Sequence, residues 1–465
     1  MRDFEAYYSA GAVANAGGDP YGRAIWSAER TVPGVDPSRD EVLPFVGPSA
    51  GLPLWRALGT LPFDAAGRIW GGALAVAMLV VVFGALALAD APRKIGILLG
   101  ATIFAGSFGP LTSDVALGQV ALLSGAGIVA ALLLLQSRAW LAAALATLVA
   151  ALQPNLALVL AARLTDRRAW LALGLGAVLF AALTLGTAGT HGIVRYAGLL
   201  AAHGAAERFA VIQITPGAIA FGFGASPQLA NVLRITVACA ALVVAIAAMR
   251  ALRDPVARVG IAICALPFVL PFFHEHDFLL ALLPASYCAL HARGRALGFA
   301  ACAAVACGVD WLGLGQRPNA ELQSVILATA CALGFALTAG LRREAFAGLA
   351  IPVAVALCAV VARVHPVPIW PDAMPAHWQA PGGAEIARVW QLEQHEAGLD
   401  VANPAWALLR SFSLVSSGLL ACALLIANGR GAVVRLTRRR DVRAVAVEEG
   451  VDAVAVLASR PHAEQ

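Results

Sequence analysis

The sequence predicts an all-α, polytopic helical membrane protein with about eleven spans and one re-entrant hairpin, on the evidence of composition, run length and loop charge. Of its 465 residues, 60% are hydrophobic and 13% are charged, whereas soluble domains carry about 25% charged residues. Apolar runs of about 20 residues recur, and a helix of that length crosses the ~30 Å hydrocarbon layer of a bilayer. A membrane β-barrel would show short alternating segments instead, but these runs are continuous.

Basic residues divide the loops between the predicted spans into two sets. The predicted spans are residues 70–89, 95–111, 116–136, 169–187, 229–249, 256–273, 278–292, 296–312, 322–341, 345–363 and 405–427. Arg93 and Lys94 follow the first span, and every second loop after it is also basic. The positive-inside rule places these loops and the basic tail, residues 428–465, in the cytoplasm. The segments expected outside are 1–68, 112–115, 188–228, 274–277, 313–321 and 364–404, around a membrane domain of residues 69–427. This charge pattern indicates topology and no nucleic-acid partner.

Residues 139–162 break the alternation of charge. Arg138 lies on one side of this apolar stretch and Arg163 on the other, so a single crossing would place one basic flank outside. Pro154 disfavours an unbroken helix. We therefore predict a re-entrant hairpin with its tip near Gln153 and Pro154. The alternative is one kinked crossing that violates the charge rule.

The N-terminal segment predicts a short amphipathic helix followed by a turn. Phe4, Tyr7, Tyr8 and Ala12 recur at helical spacing, and Gly17 and Gly18 follow as a stop signal. The apolar stripe suggests a helix on the outer membrane surface. Asp3 has two interpretations at this stage: an N-cap of the helix, since Asp favours that position, or a catalytic carboxylate.

The stretch "FFHEHDF", residues 272–278, places four ionisable residues between two apolar runs without a linker. Charged groups at membrane level are costly, so the cluster suggests phosphate binding by His274 or His276, or a metal site. If the stretch were helical, the two imidazoles would point about 200° apart, which disfavours metal ligation. The alternative interpretation is a short polar loop between two spans.

The stretch "SDVALGQVALL", residues 113–123, places Asp114 and Gln119 at the outer end of a span. These polar groups suggest either contacts between helices or the wall of a cavity.

Taken in order, these pieces resemble glycosyltransferase family 87, which uses polyprenol-phosphate-linked sugars and includes mannosyltransferases of the GT-C fold. The resemblance rests on "DFEAYYSAGAVANAGGDPY" (3–21), "LGQVALL" (117–123), "LQPNLAL" (152–158) and "HEHDFLLALLPA" (274–285). It implies transfer of a sugar, mannose by family default, from a polyprenyl-phosphate donor to a glycan or glycolipid acceptor at the outer face of a bacterial inner membrane.

The resemblance also implies roles for individual residues. Asp3 falls on the acidic position of the first outer segment and is the expected general base. The expected substrate-binding residues are Tyr7, Asp19, Gln119, Gln153, Arg195, His274, His276 and Asp277. No cofactor and no metal site are expected; the alternative is a divalent cation held by Asp3, Glu5 and Asp19.

Two departures from the family pattern leave alternatives open. A Lys-Pro pair of the family is Gln153-Pro154 here, so one cation is lost. Relatives carry a transmembrane helix before the acidic motif, which suggests that a preceding helix is missing from this sequence. The alternative is insertion with the N-terminus outside, which Arg93 and Lys94 permit because they outweigh Arg68 around the first span. The alternative functions are a transporter or flippase for lipid-linked or small hydrophilic substrates, and an inactive accessory protein.

Overall fold

The computed structural model describes residues 1–311, 314, 320–361 and 375–429, which form helices and no β-strand. The helices are α1 (Arg2–Asn15), α2 (Ala24–Glu29), α3 (Leu52–Leu58), α4 (Phe63–Leu88), α5 (Ile95–Gly106), α6 (Gly109–Leu117), α7 (Ala121–Gln136), α8 (Trp140–Ala150), α9 (Pro154–Ala157), α10 (Arg167–Ala206), α11 (Pro216–Gly222), α12 (Pro227–Ala251), α13 (Pro255–Val269), α14 (Leu282–His291), α15 (Arg295–Gly308), α16 (Ala320–Ala339), α17 (Arg343–Val361), α18 (Ile386–Glu396) and α19 (Pro404–Gly429). Three 3₁₀ helices cover Ser49–Gly51, Leu158–Arg163 and His276–Ala281. The predicted all-α class is confirmed.

Within the described part of the chain, 6 helices are long and apolar enough to cross a membrane, namely α4, α10, α12, α16, α17 and α19. The pair α5 and α6, bent by 57°, would raise this number to 7 if it forms one span. Four of the predicted spans, 116–136, 256–273, 278–292 and 296–312, instead form helices of 10 to 16 residues. The protein is therefore a multi-pass helical membrane protein, and the count of about eleven spans stays a prediction.

Two predicted spans have different ends in the structure. The first span was expected at residues 70–89, but α4 begins at Phe63, because the charged residues of its first turns do not interrupt helical backbone. The span expected at 169–187 continues as α10 to Ala206, with a break at Gly189, where φ is 61° and ψ is −177°. His191, Arg195 and His203 consequently lie on a helix, within the segment 188–228 that we predicted as a loop.

The interruption predicted in residues 139–162 is present. Helix α8 ends at Ala150, and α9 begins with Pro154 after the extended residue Gln153, whose φ is −124° and ψ is 87°. Proline suits the first position of a helix because the N–H it lacks would have no helical partner there. The break at Gln153 and Pro154 is confirmed, while the choice between a re-entrant hairpin and a kinked crossing stays a prediction.

Helix α1 forms as predicted, but it packs inside the protein rather than on its surface. Phe4 stacks on Trp70 with ring centroids 5.9 Å apart, and Tyr7 stacks on Trp55 at 4.7 Å. A Cβ atom on Gly11 would lie 1.9 Å from the carbonyl oxygen of Trp55, so glycine permits this close approach of α1 to α3. The apolar stripe is covered by aromatic side chains of α3 and α4 instead of lipid.

Some predicted features lie outside the described residues. These are the tail from 430 onward, residues 364–374 of the last outer segment, which include Trp370, and most of the segment 313–321.

Candidate active site

Asp3 is held by the polar residue that follows α6. Gly118 ends α6 in the left-handed conformation, with φ of 78°, and Gln119 follows it. The Gln119 Nε2 amide donates to Asp3 Oδ2, and the Tyr7 hydroxyl donates to Gln119 Oε1 at 3.0 Å. Helix α1 begins at Arg2 and shows no side-chain cap, so the N-cap interpretation of Asp3 is wrong. The Asp3 carboxylate instead faces other polar groups.

Asp277 is held in a similar way by the residue at the α8–α9 break. Gln153 Nε2 donates to Asp277 Oδ1 at 2.7 Å, and the backbone N–H of His274 donates to Asp277 Oδ2 at 2.9 Å. Burial raises the pKa of Asp277, while His274 and these hydrogen bonds oppose that rise. Gln153, where the resemblance led us to expect a cation, thus contacts a carboxylate.

His274 lies beside a carboxylate that the sequence did not single out. Its Nε2 atom is 3.4 Å from Glu207 Oε2 and 2.9 Å from the side-chain nitrogen of Gln213. Burial alone would raise the pKa of Glu207, but the imidazoles of His203 and His274 and the hydrogen bond from Trp390 lower it to about 2. Glu207 therefore stays ionised. Burial lowers the pKa of His274, but the Glu207 anion helps to raise it above its ordinary value.

These groups form one site because their charges interact. Burial raises the pKa of Asp3 to about 6, while the neighbouring His274 and the hydrogen bond from Gln119 oppose that rise. Asp3, Asp277 and Glu207 all act on His274. Burial and the charge of His274 hold the pKa of His276 well below its usual range, so His276 is neutral. The arrangement places a carboxyl whose pKa is raised to about 6 near one imidazole whose pKa is raised and another whose pKa is lowered.

Two predicted binding residues lie elsewhere. Arg195 Nη1 pairs with Asp19 Oδ2 at 2.6 Å, which joins α10 to the turn after α1. Glu5 pairs with Arg2 at 3.1 Å. No hydrogen bond or ion pair among the described residues joins Arg195 or Asp19 to the group around Asp3. The structure therefore does not assemble the alternative cation site of Asp3, Glu5 and Asp19, and Arg195 is neutralised by Asp19.

His274, His276 and Asp277 are the group whose geometry comes nearest to a metal site in the described residues. Their ligand atoms lie within 4.8 Å of one another. The expectation that the imidazoles diverge is wrong, because His274 precedes the 3₁₀ helix that begins at His276, and the ring centroids are 5.1 Å apart. Both Asp277 oxygens accept hydrogen bonds, and the expected absence of a metal stays a prediction.

Sequence reasoning missed Glu207 and Trp390 as site residues. Trp390 lies in the segment 364–404 that we expected outside, but it is buried and donates to Glu207 Oε1 at 2.6 Å. The helical pattern of residues 386–396 carried a signal, because Trp390, Glu393 and Gln394 share one face at that spacing. No local pattern indicated that this face meets Glu207.

The fold and the site together define a multi-pass membrane protein with an enclosed carboxylate–imidazole centre, as expected of an enzyme. Residues 45–272 match the model of Glycosyltransferase family 87, and the chain belongs to that family. No curated protein and no solved structure matches the chain. Of the residues described above, Gln119, Gln153 and Glu207 lie in the matched range, whereas Asp3 and His274 lie outside it. Membership favours the predicted glycosyltransferase over the transporter alternative.

Proposed function

We propose that this glycosyltransferase moves a sugar from a polyprenyl-phosphate donor to a hydroxyl group of a glycan or glycolipid, with Asp3 as the general base. The observation that carries the proposal is the Asp3 carboxyl, with a pKa raised to about 6, close to the His274 imidazole. A general base is most effective when its pKa lies near the working pH. Mannose is the sugar we propose first, and the outer face of a bacterial inner membrane is the proposed location.

The proposed reaction forms one bond and breaks one bond at the anomeric carbon. The acceptor oxygen attacks this carbon while its proton passes to the Asp3 carboxylate. The bond from the anomeric carbon to the phosphate oxygen breaks, and its electron pair leaves with the polyprenyl phosphate. Charge grows on that phosphate, so His274 as a cation and His276 as a hydrogen-bond donor would stabilise it.

The surroundings of the site support a donor that is anchored in lipid. Asp3 lies on α1, which packs against the first turns of α4, a helix of 26 residues that is long enough to span a membrane. A prenyl chain can remain among such apolar helices while its phosphate and sugar reach polar groups. A donor that dissolves freely in water would not need this arrangement.

The test is transfer of labelled sugar from polyprenyl-phosphate-mannose to endogenous acceptors in membranes that contain the protein. We expect Asp3→Asn to reduce the rate by about 10²- to 10⁴-fold, the usual contribution of general base catalysis. The matched control is Asp36→Asn, which changes a carboxylate that is 41% exposed in the same N-terminal segment. Equal product from wild type and Asp3→Asn would exclude Asp3 as the base.

If neither protein transfers mannose, polyprenyl-phosphate donors of other hexoses are tested in the same membranes. A rate that depends on Asp3 with one of them keeps the mechanism and changes the sugar. No transfer from any polyprenyl-phosphate sugar would overturn the proposed donor class.

A further inference from the structure

We propose that Glu207 is a positioning residue for His274 and that helix α18 completes the active site by holding Glu207 through Trp390. The inference rests on the proposed function. It adds a segment that lies outside the range matched by the family, since α18 spans Ile386–Glu396 and the match ends at 272.

The Glu207 carboxylate is surrounded by polar groups on both oxygens. Oε2 accepts from Gln213 Nε2 at 2.9 Å and lies 3.4 Å from His274 Nε2. Oε1 accepts from Trp390 Nε1 at 2.6 Å, with Gln394 Nε2 and His203 Nε2 each at 3.5 Å. The residue is 2% exposed. A buried carboxylate is stable as an anion only with such partners, so their number fixes both its charge and its direction.

The backbone next to His274 is held by hydrogen bonds to residues 213–214, which follow Glu207 in the chain. The Gln213 Oε1 atom accepts from the N–H of Phe273 at 2.9 Å, and the N–H of Ile214 donates to the Phe273 carbonyl at 2.7 Å. Arg410 on α19 donates to the Gln213 carbonyl at 2.8 Å. The residue before His274 is therefore tied to residues 213–214, so Glu207 orients an imidazole whose main chain is already held.

The charges around His274 show what Glu207 contributes. Glu207, Asp277 and Asp3 raise the pKa of the His274 imidazole, whereas burial lowers it. Among the three acids, Glu207 has the largest effect on the pKa of His274, through its hydrogen bond and its charge. Glu207 thereby favours protonation of the imidazole beside the position proposed for the donor phosphate. An imidazole oriented by a carboxylate is a common arrangement in enzyme sites.

Trp390 connects α18 to the active site through two contacts. Its indole donates to Glu207 while its ring stacks on His203, with centroids 6.2 Å apart. Without the indole N–H, Oε1 would lose the shortest of its hydrogen bonds. The carboxylate would then be less well held against His274, although the charge would remain.

The test compares transfer rates and their pH dependence for Glu207→Gln and Trp390→Phe. We expect Glu207→Gln to lower kcat by about 10- to 100-fold, as is typical when a residue that orients a catalytic group is changed. Its alkaline limb should move to lower pH, because His274 loses its proton more easily without the neighbouring anion. Trp390→Phe should produce a smaller change in the same direction, and Glu207→Asp should restore part of the rate.

Two control variants make the same Glu→Gln and Trp→Phe substitutions at other buried positions. Glu393→Gln changes another buried glutamate on α18, and Trp378→Phe removes a buried indole N–H that has no hydrogen-bond partner among the described residues. Both should leave the rate and the pH profile unchanged. Thermal unfolding of every variant is measured in detergent to separate loss of folding from loss of position.

The outcomes separate this inference from the proposed function. A rate lost in Asp3→Asn but retained in Glu207→Gln would overturn the role of Glu207 alone. A rate lost in Glu207→Gln with an unmoved alkaline limb, or only in parallel with lowered thermal stability, would show a merely structural role. Failure of wild type to use any polyprenyl-phosphate sugar would instead overturn the proposed function.

Discussion

Two regions of the molecule bury carboxylates to a similar extent but give them opposite charge states. Glu207 in the active site is 2% exposed, and its pKa is lowered to about 2. Glu393 is 0% exposed, and burial raises its pKa to about 9. Glu393 belongs to an acid cluster with Glu29 and Glu41 that packs around residues 42–43. Burial alone therefore does not decide whether a carboxylate in this protein is ionised.

The neighbours explain the difference. Glu207 contacts imidazole and indole groups, which stabilise a negative charge. Glu393 accepts from the backbone N–H of Val42 at 2.8 Å and Glu29 from that of Leu43 at 3.0 Å, while the acids of the cluster repel one another. The pKa of Glu29 is accordingly also raised by burial. Burial thus favours the uncharged carboxyls of Glu29 and Glu393, which join the N-terminal segment to α18, whereas the neighbours of Glu207 favour an anion.

Helix α1 belongs to both regions. Arg2 donates to Glu41 Oε1 of the acid cluster at 2.6 Å, whereas the next residue, Asp3, accepts from Gln119 in the site. Consecutive residues on a helix point about 100° apart, so one turn of α1 contacts both the acid cluster and the active site. Substitutions on α1, in the acid cluster and in the active site should therefore have different effects on thermal stability and on the transfer rate.

The largest effect is expected from Gly11→Ala, which displaces the helix that both regions share. The new Cβ would lie 1.9 Å from the Trp55 carbonyl oxygen, and a backbone atom cannot move aside without separating α1 from α3. Overpacking of this kind costs about 1–3 kcal/mol. Both the thermal midpoint and the transfer rate should fall.

The control for this substitution is Gly72→Ala in α4, where an added Cβ would meet nothing within 4 Å. It should leave both quantities unchanged or raise the midpoint slightly, because alanine favours helix. If Gly11→Ala behaves like Gly72→Ala, α1 does not hold the two regions together.

An intermediate effect, on stability alone, is expected from Glu393→Gln. The folded protein keeps the Glu393 proton up to about pH 9, whereas the unfolded chain releases it near the ordinary value of 4.5. The free energy of unfolding of the wild type should thus be highest below the unfolded value and fall as the pH rises toward the folded one.

Glutamine cannot release a proton, so the fall should be shallower in the variant. Thermal unfolding in detergent between about pH 5 and pH 9 measures it. Glu385→Gln, an exposed position just before the same helix, should follow the wild-type curve. A variant curve parallel to wild type would mean that Glu393 is ionised, and the contrast between the regions would disappear.

The smallest effect is expected from Tyr7→Phe, which touches only the site. It removes the hydroxyl that donates to Gln119 at 3.0 Å, a loss of about 1 kcal/mol or about 5-fold in rate if Asp3 is held less firmly. Tyr8→Phe is the matched control, since that hydroxyl donates to the Leu61 carbonyl at 2.8 Å, away from Asp3. A larger loss in Tyr8→Phe than in Tyr7→Phe would contradict the role of Gln119 as the holder of Asp3.

Local patterns predicted the elements of this fold better than their surroundings. The run of apolar residues and Pro154 were sufficient to predict the helical class and the break after α8, because both depend on neighbours in sequence. The stripe of α1 predicted its helix, but amphipathic spacing is the same whether the apolar face meets lipid or Trp55 and Trp70. Whole-protein packing decides that choice.

The pairing of site residues was beyond such patterns. Gln119 meets Asp3 across 116 residues, and Gln153 meets Asp277 across 124. These residues are polar groups in an apolar chain, and they lie in motifs that resemble the family. This was sufficient to predict them as site residues but not to predict which of them are in contact. Arg195 carried the same signal, yet the structure pairs it with Asp19, because a polar residue near the membrane surface can serve an ion pair as readily as a substrate.

The hydrogen bond from Trp390 to Glu207 joins residues that are 183 positions apart in the chain, and this separation has a consequence for biosynthesis. Asp3, Gln119 and Glu207 leave the ribosome before α18 is made, so the centre proposed above lacks the Trp390 hydrogen bond during that part of synthesis. If α18 completes the site as proposed, the full transfer rate is reached only after this helix has docked.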